Sequence, residues 1–108
     1  MTIPETIFRA YDIRGVYGKD LTEEVAMHIG QAFGTYLGGE GKEIIVGRDV
    51  RLSGHTLESA LVKGALSTGC HVQDIGIAPT PVLYFTIVHH EKDGGVMVTA
   101  SHNPPEWN

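Results

Sequence analysis

Cysteine is nearly missing from this chain: Cys70 is the only one in 108 residues, so no disulfide can close within it. Tryptophan also occurs once, and no apolar stretch approaches the roughly 20 residues that span a bilayer. A cationic and then apolar leader of the secretory kind is absent as well. Basic residues are scarce beside acidic ones, 8 Lys and Arg against 13 Asp and Glu, which leaves a net charge of −5. That field repels the phosphates of nucleic acids and of anionic membranes, so neither is an expected partner, although a local cationic pocket is compatible with it. The six histidines form no H-E-x-x-H pattern and no cluster with cysteine, so a zinc site built by the protein is not expected. These absences describe a soluble protein of a reducing compartment, read as cytoplasmic.

What is present suits one domain. With 42% hydrophobic residues the chain can bury a small core, and its 14 glycines sit singly or in pairs between periodic segments, which reads as turns. Over residues 22 to 37, Val25, Ile29, Ala32 with Phe33, and Tyr36 with Leu37 recur at helical spacing. Thr22 is a cap, Glu23 and Glu24 suit the positive end of the helix dipole, and Gly38-Gly39 ends the segment. Glu43 to Val46 reads as a buried strand that leads into the polar run Gly47 to Gly54. A second helix follows, with Leu57, Ala60, Leu61 and Ala65 on one face, Ser53 as its cap and Gly69 as its stop. A strand is expected from His71 to Ile75. Thr80-Pro81 opens a third helix through His90, Asp93-Gly94-Gly95 terminates it, and Val96 to Thr99 forms the last strand. Ile7 to Tyr11 adds another strand of unread direction. This alternation predicts a three-layer α/β/α sandwich with a mainly parallel, mixed sheet.

The last strand runs straight into Ala100-Ser101-His102-Asn103-Pro104-Pro105, a polar loop that presents one serine. Loops at the carboxyl ends of strands in open α/β sheets are where ligands bind. Three readings of Ser101 are open: a helix cap beside a proline turn, a nucleophile, or a phosphate carrier. The nucleophile reading is the weakest, because His102 is adjacent in sequence and no G-x-S-x-G elbow exists. A phosphate there needs cations. Arg14, in Tyr11-Asp12-Ile13-Arg14-Gly15, offers a planar fork of donors, and a solvated surface arginine is its bland alternative. The alternating charges Arg48, Asp49 and Arg51 read as an internal ion-pair network that fixes the strand-to-helix turn more readily than as an anion site.

Thr99-Ala100-Ser101-His102-Asn103-Pro104 resembles the phosphoserine loop of the α-D-phosphohexomutases. Phe8 to Gly15, Gly47-Arg48-Asp49-x-Arg51-x-Ser53-Gly54, Pro79-Thr80-Pro81 and Gly95-Val96-Met97 match that family's first domain in the same order, over nearly the whole chain. The resemblance implies a phosphoserine at Ser101 that exchanges its phosphoryl group with a hexose monophosphate through a hexose 1,6-bisphosphate. It implies Mg²⁺ bound through the Ser101 phosphate, Arg14 steadying the transferring group, and Tyr11, His102 and Asn103 shaping the substrate pocket. Pro104-Pro105-Glu106-Trp107-Asn108 is most similar to the phosphomannomutase/phosphoglucomutase branch; a phosphoglucosamine mutase, or a non-catalytic sugar-phosphate or partner-binding module on the same scaffold, is the alternative. The family has four domains, and its metal carboxylates and sugar-reading loop lie in the later three. Residues 1–108 are therefore expected to be an N-terminal first domain, truncated just after the serine loop, inactive alone and open to self-association through the face that meets the missing domains.

Overall fold

The computed structural model describes residues 3, 7, 13, 18–49, 52–77, 80–90 and 92–99. Helices and strands alternate along it: α1 (Glu23–Leu37), β1 (Glu43–Arg48), α2 (Leu52–Leu66), β2 (His71–Ile77), α3 (Thr80–His89) and β3 (Gly94–Val98). The three strands form one sheet in the order β2-β1-β3, and both pairings are parallel. Among the described residues no helix is long and apolar enough to cross a membrane. Of the expected opening strand, Ile7 is fully buried in a 3₁₀ turn, and residues 8–11 lie outside the described residues.

Helix α1 starts as its local chemistry dictates. The Thr22 hydroxyl accepts from the Val25 N–H at 3.2 Å, and Glu23 and Glu24 occupy the first turn. At the other end Gly38, at φ 118°, donates to Gly34 and Thr35 carbonyls in the left-handed conformation a helix stop requires. The expected face holds at Val25, Ile29, Phe33 and Leu37, which are in or against the core, but it is rotated away from Ala32 and Tyr36. Val25, Ala26, Gly30 and Gly34 are buried, whereas Tyr36 is 85% exposed. Glycine decides this, because α1 and α2 approach backbone to backbone. A Cβ on Gly30 would collide with the Leu61 carbonyl oxygen, and one on Gly64 with that of Met27. These glycines are contacts inside helices, not turns.

The same correction applies to Gly94 and Gly95, which belong to β3 and do not terminate α3. A Cβ on Gly94 would meet Phe33 and Leu37 of α1 at 3.1 Å, and one on Gly95 would strike Ile87 of α3. Successive strand residues point to opposite faces, so α1 covers one face of the sheet and α3 the other. Ile44 and Val46 join Val25, Ala26, Leu57, Leu61, Ala65 and Cys70 in the main core beneath α1 and α2. Ile45, fully buried and pointing the other way, lies toward α3. Helix α3 is apolar all round; among its described side chains only Leu83 is buried, and Phe85 and Val88 are 64% and 78% exposed. Ser53 sits inside the first turn of α2, which begins at Leu52, one residue before the expected cap.

Replacing Gly64 by alanine tests the backbone contact. Helix propensity alone would favour alanine by about 1 kcal/mol, but the Met27 carbonyl leaves no room for a Cβ. Gly64→Ala is expected to lower stability by about 1–3 kcal/mol in urea unfolding, and an unchanged or raised midpoint would contradict the packing described.

Candidate functional site at the carboxyl end of the sheet

The connection out of β1 leads to β2 on one side, and the connection out of β2 crosses to β3 on the other. Such a reversal places the switch point of the sheet at the carboxyl ends of β1 and β3, the usual ligand position of open α/β sheets. Two polar residues join these ends. Asp49, just after β1, donates its backbone N–H to the Val98 carbonyl at 3.1 Å. Thr99, just after β3, donates its hydroxyl to Asp49 Oδ2 at 2.8 Å. A second pair laces the amino ends of the same strands: Glu43 N–H donates to Asp93 Oδ2 at 2.8 Å, and Asp93 N–H to the Glu43 carbonyl at 2.9 Å.

The expected site residues Tyr11, Arg14, Ser101, His102 and Asn103 lie outside the described residues, as does Arg51. Thr99, where the described chain stops, is two residues before Ser101. Of the expected charge network, Arg48 and Asp49 are both engaged internally, and each has a described contact with a residue distant in sequence. Asp49 takes Thr99, and Arg48 Nε lies 3.6 Å from Glu58 Oε1 on α2. Among the described residues no group of three or more His, Cys, Asp or Glu could hold a metal ion. The described residues therefore build no Mg²⁺ site by themselves.

Glu58 is the residue that sequence reasoning missed. It is only 2% exposed, and among the described residues no hydrogen-bond partner stands against its Oε2. Its place on the wheel was a signal, since it lies three residues before Leu61 and four after Gly54, on the buried side of α2. On β2, Ile75 is an extra residue between the Val46/Asp74 and Gly47/Gly76 pairs. Asp74 Oδ1 accepts from the Gly76 N–H at 2.6 Å within this bulge. Burial first, then the hydrogen bond and negative charge of Asp74, push the Glu58 carboxyl up to about 7 from an ordinary 4.5, against the pull of Arg48.

A carboxyl raised in the folded state favours folding in its protonated form. Its contribution is fully present below pH 4.5 and is lost as pH rises through about 7. The 2.5-unit difference between those two values corresponds to roughly 3 kcal/mol at most. Glu58→Gln, which keeps the shape without the charge, is expected to match the parent near pH 5 and exceed its melting temperature near pH 8. Parallel pH dependences for the two proteins would show that Glu58 is ionised in the fold at neutral pH.

With this geometry in place, the known proteins it matches are informative. Residues 5–108 match the family model described as phosphoglucomutase/phosphomannomutase, alpha/beta/alpha domain I. A phosphomannomutase/phosphoglucomutase of Pseudomonas aeruginosa is 51% identical over 108 residues, covering 99% of this chain and 23% of its own. A probable phosphoglucosamine mutase of Thermococcus gammatolerans is 52% identical over 101 residues, covering 94% of this chain and 22% of its own. The crystal structure of a phosphoglucomutase/phosphomannomutase family protein from Burkholderia thailandensis superposes with a TM-score of 0.90 at 44% identity, over 99% of this chain and 25% of that one. The chain thus spans about a quarter of the length of the relatives it matches. From the parallel sheet between two helical layers, and from the match over residues 5–108, the chain belongs to the phosphoglucomutase/phosphomannomutase family, as its α/β/α domain I.

Proposed function

We propose that this chain is the first domain of an enzyme that interconverts hexose 1-phosphates and hexose 6-phosphates, with Ser101 as the phosphoryl carrier. The observation that carries this reading is the exit of β3: Thr99 is hydrogen-bonded to Asp49 where β1 and β3 end, two residues before the serine. In the forward step a hydroxyl of the hexose monophosphate attacks phosphorus on phosphoserine 101. The P–O bond to Ser101 breaks, a P–O bond to the sugar forms, and the hydroxyl proton passes to the serine oxygen. The bisphosphate then turns over and returns its other phosphate by the reverse step.

Phosphoryl transfer is mainly positioning and charge neutralisation. In this reading Arg14 steadies the transferring group, while Tyr11, His102 and Asn103 shape the pocket around the sugar phosphate. Bound Mg²⁺ would supply further neutralisation at a phosphoserine oxygen, with its protein ligands beyond the described residues. Glucose and mannose phosphates are the proposed substrates. An amino sugar is the second reading, favoured by the 52% identity to a probable phosphoglucosamine mutase. Relative kcat/KM on glucosamine, glucose and mannose phosphates separates the two.

Intact mass of the full-length protein is expected to show one phosphate, about 80 Da, lost in Ser101→Ala together with mutase turnover. A phosphate that persists in that variant would remove Ser101 from the reaction. The 108-residue chain alone is expected to convert no glucose 1-phosphate and to self-associate, because α3 leaves Val82, Phe85 and Val88 exposed. Turnover by the isolated chain, or a strict monomer in sedimentation equilibrium, would contradict this.

A further inference from the structure

Asp49 and Thr99 form the described polar contact nearest in sequence to Ser101, and the reaction outlined above assigns neither of them a part. They stand one register step beyond the Arg48/Val98 pair, where β1 and β3 both end. The two chain ends are joined twice, by the Asp49 N–H to the Val98 carbonyl at 3.1 Å and by the Thr99 hydroxyl to Asp49 Oδ2 at 2.8 Å. The backbone bond orients a peptide; the second bond also selects the side-chain rotamer of a β-branched residue that is already stiff at χ1. A carboxylate can only accept, so the hydroxyl must donate, and the bond is charge-assisted.

We propose that Asp49 is a positioning residue for phosphoryl transfer: through Thr99 it sets where the chain leaves β3, and so where Ser101 presents its phosphate. The inference rests on the phosphoserine reading above. Ser101 follows Thr99 by two residues, and two residues of chain span at most about 7 Å. An error at the clasp passes to the serine with little chain to absorb it. The bond to Thr99 also gives the Asp49 charge an internal partner, where a bare carboxylate would repel a phosphate bearing nearly two negative charges.

The test uses the full-length protein turning over glucose 1-phosphate, with circular dichroism as the check on folding. Thr99→Val keeps the shape and removes the hydroxyl; it is expected to lower kcat roughly ten- to a hundredfold while KM stays within about threefold. Thr99→Ser restores the hydroxyl and is expected to keep kcat within about threefold of the parent. Asp49→Asn weakens the same bond from its other end, so its loss should be intermediate and should not add to that of Thr99→Val in the double variant. The proposal is overturned by a Thr99→Val kcat within about twofold of the parent, by Thr99→Ser falling as far, or by additive losses. Should Thr99→Val fail to fold, Asp49→Asn against Thr99→Ser decides: a loss in the first alone supports the proposal, and an unchanged first overturns it. A parent with neither phosphate on Ser101 nor turnover would overturn the functional reading itself, and this inference with it.

Discussion

Strand β1 is enclosed on four sides, and the rest of the domain is arranged around that enclosure. Parallel neighbours take both of its hydrogen-bonding edges, α1 and α2 cover Ile44 and Val46, and α3 lies over the face of Ile45. A one-residue slip would turn every one of these side chains to the wrong layer, so the register of β1 is strongly specified. The positions of Arg48 and Asp49 at its end follow from this register. From them follow the clasp to Thr99 and the contact with Glu58. The functional end of the sheet is therefore a consequence of how the centre is packed.

Much of this was legible in the sequence where the causes are local. Thr22, Glu23, Glu24 and Gly38 act within a turn of the helix ends they define, and α1 starts and stops where they indicate. The parallel α/β/α arrangement was likewise readable from the alternation of short strands with helical periods. What was not legible has distant causes. Gly94 and Gly95 obey every local rule for a turn, yet they sit in a strand because Phe33, Leu37 and Ile87 occupy the space a side chain would need. Helix α3 is apolar on all sides, so no periodicity could say that Leu83 faces the sheet while Phe85 and Val88 face outward. At the site, the serine motif announced a family, but the Asp49–Thr99 bond joins residues 50 apart. Glu58 lay on a readable helical face, while its neighbours Arg48 and Asp74 come together only in the folded sheet.

Among the described residues at the carboxyl end, Arg48 and Asp49 turn their charges inward. Arg48 is directed at a buried carboxyl, and Asp49 at a hydroxyl. Under such an arrangement these two groups hold the strand-to-helix turn. In the proposed reaction the cation that meets the phosphate comes from another segment, at Arg14. The buried Glu58 extends the same logic, since a carboxyl raised to about 7 carries less negative charge at neutral pH than an ordinary one.

The contact of α1 with α2 has a meaning for how relatives of this chain are compared. At residues 30 and 64 the opposing carbonyl oxygens leave space for a hydrogen and nothing larger. Any sequence that keeps these helices at this separation must keep glycine at both places, whatever sugar its enzyme handles or whether it catalyses anything. Identity at these two positions is a record of interhelical distance, and someone searching for active-site residues among unchanging ones should set them aside.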